Sequence, residues 1–234
     1  MTDNIRMAPA AAPQGQAYFH VVAMIFVATL LISNTIAVKV TQAGPYTLPA
    51  GILVFPISYI FGDILTECYG FARTRSVIWT GFACLAAMSA FYWLATLLPP
   101  AAFWTEQESF SRLFGFVPRI AASSFLAYLI GEFLNSSVLS KLKLLTSGRH
   151  FWLRALLSTI VGEGADSVIF NFAAFGGVFP VATVAWIAMS GFILKVAYEI
   201  IALPITYVVV AWIKRAEGID VYDYGVRYRP FGGE

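Results

Sequence analysis

Residues 181–213 read VATVAWIAMSGFILKVAYEIIALPITYVVVAWI, and this stretch decides the fold class. Its only charged side chains are Lys195 and Glu199. A helix of this length would reach about 50 Å at 1.5 Å per residue, against a bilayer core of about 30 Å. The stretch therefore predicts a membrane span that is tilted, or interrupted near Gly191 or Pro204. We expect a short outer piece followed by the last span of the protein.

The rest of the chain has the same apolar character. Its 234 residues are 59% hydrophobic and 12% charged, and the mean hydropathy is +0.75. A water-exposed surface of this size cannot accommodate that composition, so lipid must cover most of it. The net charge of +2 comes without a basic run, which argues against nucleic-acid binding. Cys68 and Cys84 form no CxxC pair and predict neither a disulfide framework nor a zinc site, and no cofactor is expected.

Five further apolar stretches predict an all-α integral membrane protein with six transmembrane helices. The approximate ranges of the five are 17–38, 48–69, 76–98, 120–142 and 153–175. The predicted organisation is a disordered cytoplasmic tail at 1–16, a six-helix transmembrane domain at 17–213 and a cytoplasmic tail at 214–234.

The second span is unusual, because it contains Gly51, Pro56 and Gly62. These residues predict a kinked, broken or partly re-entrant helix, and irregular backbone at membrane depth survives only against protein or a water-filled cavity. The second span is therefore a candidate cavity wall. Residues 101–118 mix aromatic and charged side chains, a pattern typical of a helix that lies in the membrane interface.

Basic residues fall in alternate loops, and this asymmetry predicts orientation because Lys and Arg are retained in the cytoplasm during insertion. One side carries Arg6, Arg73, Arg75, Lys141, Lys143, Arg149, Arg154, Lys214, Arg215, Arg227 and Arg229. The other side carries only Lys39, Arg112 and Arg119. With six spans, both termini are predicted to be cytoplasmic, in a multi-pass protein of the inner (plasma) membrane.

Ionisable and amide side chains inside the spans are the strongest sign of a site. A charge at the bilayer centre costs about 2.5–3.5 kcal/mol on insertion scales, so such residues face a bundle interior or a cavity. The candidates are Asn34, Asp63, Glu67, Glu132, Glu163, Asp166, Asn171, Lys195 and Glu199. Most of the charged ones stand three or four residues from another polar group, which puts the two on one helix face.

Each group also has a structural interpretation. Asp63 and Glu67 lie near the predicted cytoplasmic interface, where pairing with Arg73 or Arg75 explains them as well as ligand binding does. Buried asparagines are also common interhelical hydrogen-bond partners. Asn34 and Asn171 could therefore hold helices together instead of binding a solute.

The other charged pairs divide in the same way. Lys195 and Glu199 favour an internal ion pair that fixes the last span, although Lys195 could instead neutralise an acid on another span. Glu163 and Asp166 lie near mid-membrane, which favours contact with a substrate or a proton, and Glu132 falls at a similar depth.

Aromatic side chains stand beside these acids and supply flat apolar walls. Tyr59 and Tyr198 are the two that we include among the candidate binding residues, and the others are Phe55, Phe61, Phe133, Phe170 and Phe172. Carboxylates between flat walls suit a planar heterocycle that donates hydrogen bonds, because a carboxylate accepts two N–H bonds from a guanine-like edge. The alternative role for these rings is core packing.

Several motifs resemble the queuosine precursor transporter family, also called the VUT family. The matching stretches are SNTIAVK at 33–39, LPAG at 48–51, FPISYIFGDILTECYG at 55–70, KVAYE at 195–199, PITY at 204–207 and the segment 214–220. The resemblance implies import of 7-deazaguanine precursors of queuosine (preQ0 or preQ1) for transfer RNA modification. It also implies a six-helix fold similar to the solitary substrate-binding subunits of vitamin importers. It adds Lys39 to the candidate binding residues and supports Asn34, Asp63, Glu67, Lys195 and Glu199.

Other functions stay open at this point. A proton-coupled carrier of another small planar solute or vitamin would use the same buried acids. An enzyme is not expected, because the sequence has no G-x-S-x-G motif and its two histidines, His20 and His150, lie at opposite ends of the domain. The predicted partners are a small planar heterocyclic base and the lipid bilayer, and the sequence leaves a homo-oligomer open.

Overall fold

The computed structural model describes residues 17–37, 39–44, 46–114, 118–177 and 179–228. The described residues form seven α-helices: α1 (Ala17–Ile36), α2 (Phe55–Tyr69), α3 (Phe71–Leu97), α4 (Gln107–Phe114), α5 (Pro118–Leu145), α6 (Phe151–Phe175) and α7 (Val181–Glu217). Three of them, α1, α3 and α7, are long and apolar enough to cross a membrane. The predicted tail at 1–16 lies outside the described residues.

Apart from the short helix α4, the helices run alternately between two ends of one bundle. The Tyr18 N–H donates to Glu217 at 2.7 Å, so the start of α1 lies beside the end of α7. Arg154, near the start of α6, pairs with Glu67 near the end of α2, and Lys143 near the end of α5 donates to the Glu67 carbonyl. We call this the tail end, because the chain segment 218–228 packs there. The opposite end is the hairpin end.

The chain between α1 and α2 forms a small β-hairpin, a departure from the predicted all-α fold class. Strand β1 (Val40–Ala43) pairs antiparallel with β2 (Tyr46–Pro49), and a 3₁₀ helix (Ala50–Leu53) follows. The 3₁₀ helix packs tightly on α1, since a Cβ on Gly51 would lie 2.7 Å from the Ser33 carbonyl oxygen. Pro56 stands in the first turn of α2, where a missing N–H costs nothing.

A sharp break at Gly70 separates α2 from α3. Gly70 has φ +83°, a conformation that favours glycine. The backbone N–H at the start of α3 has no partner within the helix and is satisfied by the chain's own C-terminal segment, because the Phe71 N–H donates to both carboxylate oxygens of Asp223 at 3.1 and 2.9 Å. The segment 218–228 is therefore part of the bundle.

Helix α7 is one uninterrupted helix of 37 residues, so the predicted interruption near Gly191 or Pro204 is wrong. Pro204 lies inside the helix, which membrane helices tolerate because neighbouring groups satisfy the freed backbone. The predicted domain boundary after residue 213 falls within α7, which ends at Gly218 with φ +64°.

The core is aromatic and joins four helices around Tyr128 of α5. Its ring lies 5.7 Å from Phe82 of α3, 5.8 Å from Tyr59 of α2 and 6.5 Å from Phe26 of α1. Large apolar side chains also point outward, and the most exposed on α3 and α7 include Phe91, Ile201, Ile205 and Val208. A hydrophobic interior inside a hydrophobic exterior is the arrangement expected of a protein that lies in lipid.

Candidate substrate-binding site

A cavity of about 120 Å³ that opens to solvent lies at the hairpin end between α1, α2, α5, α6 and α7. The rings of Phe55 and Phe170 form the aromatic wall of the cavity, and Ile52 and Ile187 also line it. The polar side chains that line it belong to Ser33, Asn34, Ser124, Asp166, Ser167, Asn171 and Lys195. The cavity therefore combines flat apolar surface with a small number of polar groups, as small-molecule pockets do.

A shared ion pair lies in the cavity wall. The Lys195 ammonium pairs with Asp166 and lies 2.9 Å from Glu163 Oε2, so one cation serves two carboxylates of α6. The same ammonium sits 4.2 Å from the ring centre of Phe55, a cation–π contact. The predicted ion pair between Lys195 and Glu199 is wrong. The alternative prediction is confirmed, because Lys195 neutralises acids of another helix. Helix packing turns Lys195 toward α6.

Two asparagines present amides to the cavity from opposite sides. Asn34 donates from Nδ2 to the Leu30 carbonyl at 2.9 Å and accepts from the Ser124 hydroxyl at 3.1 Å. Asn171 donates to the Ser167 carbonyl at 2.8 Å. Because each amide is held by its own helix backbone, its orientation is fixed before a solute arrives.

Three further candidate acids lie deeper in the bundle. Asp63 accepts from Asn135 Nδ2 at 2.7 Å, and Glu132 accepts a long bond of 3.5 Å from the Ser136 hydroxyl. Within the described residues, both carboxyl oxygens of Glu199 lack a hydrogen-bond partner, as do Asp63 Oδ2 and Glu132 Oε2. All three side chains are at most 1% exposed.

Glycines bring α2, α5 and α6 close enough to surround these acids. A Cβ on Gly62 would fall 2.2 Å from Glu132 Oε1, and one on Gly131 would fall 2.5 Å from the Tyr59 hydroxyl and 3.0 Å from Asp166 Cβ. Small residues permit such close helix contacts in membrane proteins. Gly62 was predicted as a source of irregular backbone, and its role in the structure is to make room for Glu132.

Glu67 belongs to a separate ion cluster at the tail end. Its carboxylate forms a two-bond pair with Arg154, lies 2.5 Å from Lys214 Nζ and 3.6 Å from Lys143 Nζ. Lys143 also donates to Asp220 of the segment 218–228. The predicted alternative partners, Arg73 and Arg75, lie instead over the rings of Phe19 and Phe71.

The charges around Asp220 set its ionisation. Burial raises the pKa of its carboxyl, but hydrogen bonds from Lys143 and Lys214 outweigh burial and hold the pKa below the usual 3.8. Asp220 is therefore ionised at neutral pH and completes the cluster as a second anion beside Glu67.

The remaining candidates do not line the cavity. Lys39 is exposed at the start of the hairpin, and Tyr198 is half-buried on α7. Tyr59 is fully buried, with its ring 5.6 Å from that of Phe55, so it supports the cavity wall from behind. Among the predicted aromatic walls, Phe55 and Phe170 line the cavity.

The cavity also contains serines that sequence reasoning missed, namely Ser33, Ser124 and Ser167. Serine is common at helix contacts in membranes, so a lone hydroxyl in an apolar span carries little signal. Of these serines, only Ser33 could have been found from the sequence, because it directly precedes the candidate Asn34.

A bundle of apolar helices that encloses buried charges and an open cavity with a few polar groups defines a membrane protein with a solute-sized chamber between its helices. The chain belongs to the family described as "Putative vitamin uptake transporter", whose profile matches residues 49–209. Family membership agrees with the resemblance seen in the sequence motifs, and the chain is a transporter of this family and no enzyme.

Curated relatives carry a more specific name. The chain is 31% identical over 176 residues to the "Probable queuosine precursor transporter" of Bacillus subtilis (strain 168), covering 75% of this chain and 77% of the relative. It is 28% identical over 125 residues to the "Queuosine precursor transporter" of Escherichia coli (strain K12), covering 53% and 54%. It is 29% identical over 125 residues to the "Probable queuosine precursor transporter" of Haemophilus influenzae (strain ATCC 51907 / DSM 11121 / KW20 / Rd), covering 53% of this chain and 51% of the relative. No solved structure matches the chain.

Proposed function

We propose that this protein imports a 7-deazaguanine precursor of queuosine, which the cell then inserts into transfer RNA. The observation that carries the proposal is the cavity wall, which contains the Asp166 carboxylate, the rings of Phe55 and Phe170 and the amides of Asn34 and Asn171. The names of three bacterial relatives support the same substrate class.

The recognition that we propose follows from the chemistry of the base. A 7-deazaguanine is planar and presents adjacent N–H donors on its guanine-like edge. Asp166 accepts these donors, because a carboxylate matches two parallel N–H bonds. The rings of Phe55 and Phe170 pack on the apolar faces, and the two asparagine amides bind the carbonyl and the remaining ring nitrogens.

We further propose that α1, α2, α3, α5, α6 and α7 are six membrane spans with both termini in the cytoplasm of a bacterium, in its inner membrane. Six helices of alternating direction meet at the tail end, and most of the basic residues outside the apolar stretches lie there. Since basic residues stay in the cytoplasm during insertion, the tail end faces the cytoplasm and the cavity opens outward.

Rescue of queuosine in transfer RNA tests the function. The host lacks its own importer and its own precursor synthesis, and receives the labelled nitrile or aminomethyl base from the medium. Wild type should restore queuosine, and Asp166→Asn should abolish it at low base concentration, while Glu106→Gln, an exposed carboxylate outside the cavity, should rescue fully.

The same cells distinguish the second candidate, a carrier of another planar solute or vitamin. Unlabelled guanine and biotin should compete weakly with the labelled base, whereas the unlabelled precursor should compete fully. Absence of rescue by a well-inserted wild type, or stronger competition by a vitamin, would reject the proposed substrate.

A further inference from the structure

A column of five carboxyl groups connects the cavity with the ion cluster at the tail end. This carboxyl column consists of Asp166, which lines the cavity, of Glu163, Glu132 and Glu199, and of Asp63, which lies one helical turn from Glu67 on α2. The five come from α2, α5, α6 and α7, and each is between 0 and 4% exposed. The column is thus enclosed by helices on all sides except at Asp166, which lines the cavity.

The column contains more acids than its cations can neutralise. In the part of the chain that the structure describes, Lys195 is the one cation within ion-pair distance of any of the five, and it serves Glu163 and Asp166. Glu199 has neither an ion-pair partner nor a hydrogen-bond donor among those residues. An ionised carboxylate in such a place costs several kcal/mol that nothing offsets.

Two neutral groups nearby are also unsatisfied, which points to a ligand beyond the acids themselves. Asn135 donates to Asp63, but its own Oδ1 is buried without a partner among the described residues. The Tyr59 hydroxyl, fully buried near Gly131 and Asp166, is likewise unpartnered there. A buried polar group without a partner is rare in folded proteins and requires an explanation.

Proton binding explains all of these observations together. The acids, cysteines and histidines of the described residues do not group at the spacing that holds a metal ion. A proton neutralises a buried carboxylate and at the same time turns it into an O–H donor for a neighbouring oxygen. Chains of buried acids serve as proton relays in other membrane transporters.

We propose that the carboxyl column is a proton path and that import of the base is coupled to proton entry. Within this path, Glu199 carries the proton between Glu163 and Asp63. This inference rests on the proposed function. Glu199 faces Asp63 of α2 and Glu163 of α6, with Lys195 one turn away on its own helix. Glu132 faces Glu163 and Asp166 of α6, and Asp63 and Tyr59 of α2.

The shared lysine couples the base to the proton. A base that donates to Asp166 competes with Lys195 for that carboxylate, so the ammonium moves toward Glu163 and changes the charge that the rest of the column experiences. Base binding and proton binding then influence each other reciprocally.

In each proton transfer along the column, one O–H bond breaks on the donor carboxyl and one forms on the acceptor. The proton that enters at Asp166 is balanced by one that leaves Asp63 toward the cytoplasm when the tail end opens.

Proteoliposomes that contain the full chain test the coupling with two separate readouts. Counterflow exchange of labelled base without any gradient reports transport alone. Accumulation under an inward proton gradient, with the membrane potential clamped, reports coupling. A gradient of one pH unit should concentrate the base up to about tenfold for one proton per base, and a protonophore should abolish this accumulation.

Glu199→Gln replaces the carrier with a neutral group of the same shape. Gradient-driven accumulation should fall to the level of equilibration, whereas counterflow should remain measurable, because exchange of base needs no net proton transfer. The exposed Glu106→Gln serves as matched control and should behave as wild type in both assays. In wild type, base added to proteoliposomes without a gradient should also make the external medium more alkaline, a readout that needs no variant.

The outcomes separate the two proposals. Counterflow in wild type with neither accumulation nor alkalinisation overturns proton coupling and leaves the base importer intact. Accumulation by Glu199→Gln at the wild-type level overturns the role of Glu199. Absence of counterflow in wild type rejects the proposed function, and the proton path fails with it.

Discussion

The two ends of the bundle use buried carboxylates in opposite ways. At the tail end, Glu67 is surrounded by three cations, and the segment 218–228 seals the cluster through Asp220. At the hairpin end, Asp166 shares a single lysine with Glu163 and faces an open cavity. A buried acid with an excess of partners fixes the fold, whereas an acid with too few partners and a route to solvent can bind a solute.

The largest effect should come from removing the centre of the tail-end cluster. Glu67→Gln leaves Arg154, which is 1% exposed, as a buried cation without its carboxylate. Breaking a buried pair in this way costs about 3–5 kcal/mol. We expect a strong loss of thermal stability in detergent and a low yield of folded protein. The measurement is the unfolding temperature of purified protein, with the exposed Glu106→Gln as matched control.

This change also provides the sharpest way to break the comparison between the two ends. Should Glu67→Gln retain wild-type stability while base uptake is lost, Glu67 would be a substrate group, and its three cations would not mark a structural cluster.

The second effect concerns affinity at the hairpin end. Asp166→Asn removes the charged acceptor for the base, and hydrogen bonds to charged groups contribute about 1.5–3 kcal/mol, which corresponds to a loss of roughly tenfold to a hundredfold in affinity. Stability should change little, because Lys195 keeps Glu163 at 2.9 Å. The measurement is the base concentration for half-maximal counterflow.

Asp223→Asn is the matched control for that substitution, because Asp223 is also a buried aspartate but lies at the tail end. It should leave the half-maximal concentration unchanged. Equal affinity of wild type and Asp166→Asn would remove Asp166 from the site and with it the assignment of the cavity.

The third effect tests whether the segment 218–228 is part of the fold. Asp223→Ala removes the acceptor of the Phe71 N–H and of the Ser140 hydroxyl. Buried donors left without partners cost about 1–3 kcal/mol. We expect a lower unfolding temperature and earlier proteolysis of the segment, measured by limited digestion. Tyr224→Ala, a change of an exposed ring in the same segment, should have no such effect.

The sequence predicted the membrane class and the charged and amide residues of the cavity wall, because such side chains in an apolar stretch are visible without a structure. Four residues that the sequence singled out in this way line the cavity, namely Asp166, Asn171, Asn34 and Lys195. The acids with which Lys195 forms ion pairs were not predictable from the sequence. Helical spacing pairs Lys195 with Glu199 on one helix, but the rotation and packing of α6 against α7 decide which acid the ammonium reaches.

The local structure around the second span was predicted only in outline. Gly51 and Pro56 indicated irregular backbone, and a hairpin and a 3₁₀ helix are present before α2. The packing of the segment 218–228 was missed, because a polar, glycine-rich ending reads as a free tail. Its docking depends on tertiary groups, the Phe71 N–H and Lys143, that no pattern within the segment reveals.

The smallest effect concerns Asp220 and is visible in its pH dependence. The pKa of Asp220 is lower in the folded protein than its usual 3.8, so its ion pairs stabilise the fold fully above that value and lose their contribution as the pH falls through the lowered pKa. Its side chain is 44% exposed, and exposed pairs contribute about 0.2–1 kcal/mol. Asp220→Asn should therefore unfold slightly earlier than wild type at pH 7, and the difference should shrink toward pH 3, as measured by thermal unfolding across that range. A difference that stays constant down to pH 3 would mean that packing of the segment, and not charge, holds the tail end closed, and the contrast with the hairpin end would then be one of shape.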